Sequence, residues 1–238
     1  MKIEIVKDHA AMSNRAAEII ANKVMSNKKA VLGLATGGTP EVTYELLVGK
    51  KLDWSEISTF NLDEYSNIEG THEMSYRFYM NKHLFNHVNI NKDNTHVPSG
   101  MADAAIEGPR YDEAIQKAGG IDLQLLGLGQ NAHIGFNEPG SAENGGTAEV
   151  ALTESTINAN ARYFNSADEV PQTAISMGIG SIMKAKEILL IASGESKAQA
   201  VKDMIEGKTT TEVPASFLQK HSNVTILIDE AAAKLLNK

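Results

Sequence analysis

The sequence predicts an α/β protein in which helices cover both faces of one doubly wound, mostly parallel sheet. Short apolar segments of strand length alternate along the chain with longer segments of helical periodicity. Several of these apolar segments run directly into glycines and then into polar or acidic residues. Because ligands bind at the carboxyl ends of the strands in such sheets, this order is typical of a Rossmann-like, three-layer α/β/α sandwich.

The first third of the chain alternates strands and helices most clearly. Strands are predicted at three places, over 2–6, 30–34 and 57–62. Asp8 is a suitable cap for a first helix, because apolar residues then recur at helical spacing, at Met12, Ala16, Ile20 and Val24. Thr39 suits the N-cap of a second helix, with Pro40 in its first position.

The remaining elements continue the same alternation. Helices are predicted over 73–88 and over 103–118, the second with a kink at Pro109. The later strands are predicted over 121–126, 187–193 and 224–229, with an amphipathic helix to residue 205 and a short Ala-rich helix at the end. Between them, residues 152–172 mix strand and helix signals, as a lid over a cleft would. No linker interrupts residues 1–238, which predicts a single domain.

Composition excludes several classes of partner. The 238 residues carry a formal net charge of -8 and no run of Lys and Arg interleaved with aromatic residues, so nucleic acid is not expected to bind. The chain lacks cysteine, which rules out disulfides, thiolate metal sites and a cysteine nucleophile and suits a reducing compartment. The amino end does not resemble a signal peptide and the apolar runs are too short to cross a bilayer, so we expect a soluble cytoplasmic protein without a membrane partner.

The stretch over 121–140 carries the densest group of reactive side chains. A buried strand leads into Gly127 and Gly129, which we expect to let the backbone turn sharply. Four polar residues follow within eight positions, namely Asn131, His133, Asn137 and Glu138. His133 and Glu138 form the best catalytic pair, since an isolated structural histidine needs no carboxylate and two amides around it.

Asp63 follows a different predicted strand and is the candidate for a second base. The carboxyl ends of parallel strands converge on one cleft, which would bring Asp63 close to the 121–140 stretch. Glu64 is a like-charge neighbour that could raise one of the two pKa values. A helix N-cap is the competing interpretation of Asp63, and the residues alone leave it open.

Two segments and one lid residue are candidates for binding an anion. Gly37, Gly38 and Thr39 lie between a strand and a helix, an arrangement that aims backbone N–H groups at a phosphate, although a simple turn fits equally well. Lys197 opposes the dipole of the helix that it begins, which indicates a bound anion, and an exposed lysine is the alternative. Arg162, in the lid-like segment, could clamp a phosphate with two hydrogen bonds.

Other motifs fail on their context. Residues 127–132 fit the G-x-G-x-x-A dinucleotide fingerprint, but the glycines and proline that follow break the helix that the fingerprint must open. His83 and His87 have the spacing of zinc ligands on a helix, but no H-E-x-x-H glutamate lies between them. Ser181 to Lys184 matches S-x-x-K without the partner motifs of that enzyme class. Covalent serine chemistry is therefore unsupported.

Five motifs together resemble the glucosamine-6-phosphate deaminase family. They are TGGTP at 36–40, FNLDEY at 60–65, AHIGFNEP at 132–139, NARYF at 160–164 and SGESKA from 193. They occur in the family's order and spacing along nearly the whole chain. The resemblance implies the conversion of glucosamine 6-phosphate and water to fructose 6-phosphate and ammonia, without a metal or organic cofactor. It also implies the fold that this family shares with ribose-phosphate isomerases and CoA transferases.

The resemblance further implies residue roles. Asp63 would take the proton from C2 of the sugar and return it at C1. His133 would open the pyranose ring, with Asn131 and Glu138 orienting it or relaying charge. The phosphate would be held by five residues, namely Gly37, Gly38, Thr39, Arg162 and Lys197.

The chain departs from the family pattern at two places. Many longer members have aspartate at the position of Asn131, and an amide can orient His133 but cannot carry charge. Residues 145–150 lack the basic residues that serve an allosteric site for N-acetylglucosamine 6-phosphate in longer members. We therefore expect an unregulated enzyme that is monomeric rather than hexameric.

Two alternative functions stay open at this stage. Lactone hydrolysis on a phosphorylated sugar, as in the related 6-phosphogluconolactonases, could use His133 to activate water. A sugar-phosphate sensor is also possible, because transcriptional regulators borrow this fold. The chain carries no helix-turn-helix segment or basic face, and the presence of Asp63, His133 and Glu138 together favours catalysis.

Overall fold

The computed structural model of the chain describes residues 1–160, 164 and 169–237, without the side chains of Ser155, Ala159 and Asn160. The described strands are β1 (Lys2–Val6), β2 (Val31–Leu34), β3 (Ser58–Asn61), β4 (Asp63–Tyr65), β5 (Thr95–His96), β6 (Leu123–Leu126), β7 (Ala148–Ala151), β8 (Thr173–Ser176), β9 (Ile188–Ala192) and β10 (Val224–Asp229). The described α-helices are α1 (His9–Ser26), α2 (Glu41–Gly49), α3 (Tyr76–Met80), α4 (Ala104–Lys117), α5 (Glu154–Asn160), α6 (Ile179–Ile182) and α7 (Ala198–Glu206).

A seven-stranded sheet in the order β1-β10-β9-β6-β2-β3-β5 forms the centre of the fold, and every neighbouring pair in it is parallel. With helices on both faces, the chain has the predicted three-layer α/β/α architecture. The strand order reverses between β6 and β2, because the chain proceeds from β2 towards β3 and β5 but from β6 towards β9 and β10. This reversal opens a crevice at the carboxyl ends of β2 and β6, where such folds bind their ligands.

Local sequence explains why α1 forms where it does. Asp8 caps the helix by accepting a hydrogen bond from the backbone N–H of Ala11 at 2.9 Å. The four apolar residues at helical spacing that predicted this helix are all buried, namely Met12, Ala16, Ile20 and Val24. They pack with the apolar central strands in one large hydrophobic core. The predicted helix and its cap are thus confirmed.

A second, three-stranded antiparallel sheet in the order β4-β8-β7 was not predicted. Asp63 lies at the start of β4 and pairs with Ser176 of β8, rather than ending the strand before it. The sheet has its own small apolar cluster with Tyr65 and Phe136, and Phe164 packs on that cluster. Strands of three or four residues that include polar side chains leave too short a pattern for sequence periodicity to detect.

Several element boundaries differ from the prediction. Pro40, not Thr39, is the N-cap of α2, and no side chain caps that helix end. The helix predicted over 73–88 begins after Ser75, which caps it, and passes after Met80 into one π-helical turn. Pro109 lies inside the continuous helix α4, and the residues after β10 form turns instead of a helix. No helix in the described ranges is long and apolar enough to cross a membrane.

Candidate active site

Two loops meet at the reversal of strand order, one after β2 and one after β6. The second contains His133, and its shape depends on a glycine. A Cβ added to Gly129 would lie 2.5 Å from three atoms of the His133 ring, so the ring rests directly against the backbone there. Neither Gly127 nor Gly129 has a positive φ; that conformation occurs at Ala132 (φ 64°) and Gly135 (φ 58°). Gly129 therefore provides space for His133, not the sharp turn that was predicted.

Glu138 lies at the centre of a polar group on this loop. Its Oε2 atom accepts a hydrogen bond from Nδ2 of Asn131 at 2.5 Å and lies 3.4 Å from Nδ1 of His133. The contact with His133 has the distance of an ion pair but not the geometry of a hydrogen bond, and Nδ1 is buried without another partner in the described part of the chain. Asn131 also accepts a hydrogen bond from the backbone N–H of His133 at 3.3 Å, so it contacts both members of the predicted pair.

Two threonines at the start of α5 complete the surroundings of Glu138. Its Oε1 atom accepts hydrogen bonds from the hydroxyls of Thr156 at 2.5 Å and Thr153 at 3.2 Å. Burial alone would raise the pKa of Glu138, but interactions with His133, Thr156 and Asn131 outweigh it and lower that pKa to about 2. Glu138 is therefore a carboxylate at neutral pH, and its negative charge favours a proton on the facing nitrogen of His133.

Asp63 lies beside this loop, as the convergence of strand ends predicted. A Cβ on Gly135 would be 3.8 Å from Oδ2 of Asp63 and 3.1 Å from Oγ of Ser176. Ser176 pairs with Asp63 across the small sheet and also accepts a hydrogen bond from the backbone N–H of Phe136 at 3.1 Å. These contacts hold the Asp63 strand against the segment that carries His133 and Glu138. The helix N-cap interpretation of Asp63 is wrong, because Asp63 begins strand β4.

The Asp63 carboxyl group is buried without a hydrogen bond. Asp63 is 6% exposed, and no hydrogen bond from a described residue is among the influences on its pKa. Burial, with a smaller contribution from the negative charge of Glu64, raises the pKa of Asp63 to about 8. A carboxyl group in this state is a stronger base than an ordinary aspartate once it has lost its proton.

Glu64 is also buried, but its carboxylate is saturated with donors. It accepts hydrogen bonds from the backbone N–H groups of Tyr65, Tyr76 and Arg77 and from the hydroxyl of Ser75. Burial is the largest influence and raises the pKa of Glu64, whereas these four donors favour the ionised form. Glu64 thus fastens β4 to the start of α3 and fixes the direction of Asp63 beside it.

The predicted phosphate residues lie on both sides of the His133 loop. Gly37, Gly38 and Thr39 follow β2, and Lys197 is the N-cap of α7, shortly after β9. Because β6 lies between β2 and β9 in the sheet, all three loops leave the same edge. Arg162 lies outside the described residues.

The loop before Lys197 is held by Asp229, at the end of β10. Asp229 accepts hydrogen bonds from the Ser193 hydroxyl at 2.5 Å, the Gly194 N–H at 3.0 Å and the Ala232 N–H at 2.8 Å. Burial would raise the pKa of Asp229, but these hydrogen bonds lower it. Sequence reasoning missed this residue, because Ser193 and Gly194 are separated from it by 36 and 35 positions and no motif marks the contact.

One surface cavity of the described structure does not coincide with the candidate site. A solvent-open cavity of about 390 Å³ lies beside the small sheet. Its described lining contains none of the predicted site residues and consists of Asn67, Ile68, Glu69, Thr71, His72, Met101, Phe164, Glu169 and Pro171. The convergence of three loops at the strand reversal is the stronger criterion, since it collects the buried carboxyl, the imidazole and the glycine loop. No group of three or more His, Asp or Glu residues suited to a metal occurs within the described ranges.

Comparison with known proteins is consistent with this geometry. Residues 7–227 match the family described as glucosamine-6-phosphate isomerases/6-phosphogluconolactonase. A protein named glucosamine-6-phosphate deaminase from Clostridium perfringens (strain 13 / Type A) is 54% identical over 241 aligned positions, which cover 99% of this chain and 100% of that protein.

Two solved structures superimpose on the chain at different levels of sequence identity. A monomeric glucosamine-6-phosphate deaminase superimposes with a TM-score of 0.97 at 45% identity, covering 99% of this chain and 100% of that one. A 6-phosphogluconolactonase from Leishmania guyanensis superimposes with a TM-score of 0.80 at 19% identity, covering 100% of this chain and 99% of that one. The second likeness shows the fold alone.

The burial of Asp63 predicts that it destabilises the folded protein at neutral and alkaline pH. Its pKa is about 8 when folded and near the usual 3.8 when unfolded, so stability falls as the pH rises from about 4 to 8. Asp63→Asn removes this penalty. We expect its Tm to exceed that of the wild type by an amount that grows over this pH range, with about 2–4 °C for each kcal/mol in a chain of this size.

The control is Asp93→Asn, which removes the same charge at an exposed position. Its Tm difference from the wild type should not depend on pH in this way. Scanning calorimetry of all three proteins between pH 4.5 and pH 8.5 makes the comparison. Equal melting temperatures for wild type and Asp63→Asn throughout that range would contradict the raised pKa.

Proposed function

The chain belongs to the family of glucosamine-6-phosphate isomerases and 6-phosphogluconolactonases, and on this premise we propose that it is a glucosamine-6-phosphate deaminase. The observation that carries the proposal is the 54% identity to a deaminase along the whole chain, against 19% for a lactonase of the same fold. The reaction converts glucosamine 6-phosphate and water to fructose 6-phosphate and ammonia. Asp63, buried without a hydrogen bond beside the His133 loop, has the properties that its first chemical step requires.

Asp63 acts as the base that moves a proton between two carbons. In the open-chain aldehyde it takes the proton from C2, and the electron pair of that bond forms a double bond between C1 and C2 as the aldehyde oxygen gains a proton. Asp63 then returns its proton to C1, which leaves an imine at C2. Water adds to the imine, and the carbon–nitrogen bond breaks to give the ketone and ammonia. Proton transfer at carbon needs a basic, poorly solvated carboxylate, which the raised pKa of Asp63 supplies.

His133 opens the pyranose ring before this step. The carboxylate of Glu138 favours a proton on Nδ1, which leaves Nε2 with a free electron pair in the neutral ring. Nε2 can then take the proton from the hydroxyl at C1 as the bond between C1 and the ring oxygen breaks. The same nitrogen returns this proton to the ring oxygen, which leaves the aldehyde at C1 and a hydroxyl at C5. The Asn131 amide contacts both the carboxylate and the backbone of His133, so it positions the pair without carrying a charge.

The phosphate group anchors the substrate at a distance from the reacting carbons. We assign it to Gly37, Gly38, Thr39 and Lys197, with Arg162 from the proposed lid over 152–172. The contacts of Thr153 and Thr156 with Glu138, and of Phe164 with the ring of Tyr65, support the lid because they join that segment to the site. Fixing the phosphate holds C1 and C2 over Asp63, where orientation lowers the barrier.

The assembly and location of the protein are further parts of the proposal. We propose one domain over residues 1–238, because the larger of the two described apolar clusters draws on residues from Met12 to Ala232. A cytoplasmic location fits a phosphorylated sugar, whose charge opposes passage through a bilayer.

Ammonia release tests the proposed activity directly. Purified protein treated with chelator should release ammonia from glucosamine 6-phosphate in step with fructose 6-phosphate, and should hydrolyse 6-phosphogluconolactone far more slowly. Asp63→Asn should abolish ammonia release while retaining affinity for the sugar phosphate. Lactone hydrolysis without ammonia release would establish the alternative enzyme, and tight binding without either reaction would establish a sensor.

Gly129→Ala tests whether the His133 ring must rest against the backbone. The new methyl group would overlap the ring, so the ring must shift from its present position, and we expect kcat to fall by about 10²-fold. Gly127→Ala is the matched control, because its Cβ would meet nothing within 4 Å in the same loop. Steady-state kinetics of both variants make the measurement, and equal losses of kcat in the two would refute the special role of Gly129.

The oligomeric state is tested by sedimentation equilibrium. We propose a monomer, since the superimposed deaminase is monomeric and residues 145–150 carry no basic residue for an allosteric phosphate. The mass should be close to 25.6 kDa, and N-acetylglucosamine 6-phosphate should not activate. A hexamer, or activation by that compound, would overturn this part of the proposal.

A further inference from the structure

In the loop after β2, the backbone carbonyl oxygens accept hydrogen bonds from side chains outside the loop. Backbone carbonyls at alternate positions pair with side chains from three different helices. The pairs are Ala35 with Tyr44 of α2 at 2.5 Å, Gly37 with Tyr79 of α3 at 2.7 Å, and Thr39 with His9 of α1 at 3.1 Å. The two tyrosine hydroxyls donate, and Nε2 of His9 must carry a proton to donate to a carbonyl.

The backbone N–H groups of the same loop are unpaired. None of the described residues accepts a hydrogen bond from the N–H groups of residues 36–39. All peptide bonds of the described chain are trans, so each N–H points opposite to the carbonyl that precedes it in the chain. The N–H groups of Thr36 and Gly38 therefore point away from the hydroxyls of Tyr44 and Tyr79.

We propose that His9, Tyr44 and Tyr79 are positioning residues for the phosphate of the substrate. They bind the loop carbonyls on the side away from the phosphate, which leaves the backbone N–H groups of the loop free to bind an anion. This inference rests on the proposed function, which assigns the phosphate to Gly37, Gly38 and Thr39. It adds three side chains that lie on helices, and none of them belongs to the TGGTP motif of the loop.

The peptide between Gly37 and Gly38 depends most on such a contact. Gly37 has φ +101°, and two adjacent glycines offer little steric resistance to rotation of the peptide between them. If this peptide turned over, its carbonyl would face the phosphate oxygens and repel them, and one N–H would be lost from the site. The Tyr79 hydroxyl opposes that rotation, because turning the peptide breaks its hydrogen bond. Tyr79 should therefore matter more than His9, whose partner carbonyl is followed by Pro40, which has no N–H.

The fold explains why three helices can reach one loop. Tyr44 is fully buried and its ring meets the ring of Tyr79 edge-on, with centroids 6.4 Å apart. His9 is the first residue of α1, and α1 packs along α2. Because the loop enters α2 directly, all three donors are fixed by the same helix packing. Tyr79 and His9 are less buried than Tyr44, so replacing them perturbs the core less.

The experiment compares phosphate binding and turnover in Tyr79→Phe and the wild type. We expect the dissociation constant of inorganic phosphate, measured by calorimetry, and KM for glucosamine 6-phosphate both to rise by about five- to tenfold, the loss expected for one hydrogen bond. The value of kcat should fall by no more than about twofold. His9→Ala should weaken phosphate binding by about two- to threefold, and His9→Gln, whose amide can donate to the same carbonyl, should restore it.

Tyr111→Phe is the matched control. Tyr111 is a buried tyrosine whose hydroxyl also donates to backbone carbonyls, those of Asn61 at 2.8 Å and His96 at 3.2 Å, neither of which belongs to the loop. Its loss should lower Tm without changing the phosphate dissociation constant. Unchanged phosphate binding in Tyr79→Phe, or equal weakening in Tyr79→Phe and Tyr111→Phe, would overturn the inference alone. Wild-type protein that neither bound phosphate nor released ammonia would overturn the proposed function together with it.

Discussion

The site depends on one unfavourable feature, a buried aspartate without a hydrogen bond. Asp63 is 6% exposed, and the negative charge of Glu64 adds to the effect of burial in raising its pKa. Such a group is costly to bury in its ionised form, so the surrounding structure must compensate for it. The small antiparallel sheet holds the backbone of Asp63 in place by pairing it with Ser176, and Glu64 fastens the same strand to α3 through four hydrogen bonds. We propose that this loss of stability accompanies the role of Asp63 as a base.

The reversal of strand order brings the remaining groups to this base. The loops after β2, β6 and β9 leave one edge of the central sheet, and each is held by side chains from elsewhere in the chain. Glu138 in the β6 loop is held by Thr153 and Thr156 at the start of α5, and the β9 loop is held by Asp229. Hydrogen bonds from neighbouring elements thus fix the conformations of these loops. Such support is the usual basis of precise orientation in active sites.

Sequence could predict the fold where the pattern is local. Helix α1 has a capping aspartate and four apolar residues at helical spacing, and the central strands are short apolar runs that end in turn residues. The second sheet was missed because β4 has three residues and β7 is mostly exposed, so neither has a periodicity to read. The predicted start of α2 was one residue too early, because threonine is a common N-cap residue. In the structure the Thr39 carbonyl instead accepts a hydrogen bond from His9, thirty positions away.

The candidate site could be predicted in part for the same reason. Motif positions indicated Asp63, His133, Glu138 and the glycine loop, and the structure brings Asp63 to the His133 loop. Contacts that depend on packing could not be foreseen. They include the close approach of the His133 ring to Gly129, and the hydrogen bonds that Thr153 and Thr156 donate to Glu138. These contacts depend on how separate elements pack together, and local patterns in a single sequence do not predict that packing.

A carbon-13 NMR titration of the aspartate carboxyl groups in the ligand-free protein tests the central claim most directly. The account predicts one carboxyl that titrates near pH 8 and whose signal is missing from Asp63→Asn. It would be contradicted if the signal assigned to Asp63 titrated below about pH 5, in the ordinary range of aspartates. Asp63 would then be an ordinary carboxylate, and the proton transfer at C2 would need another source of basicity.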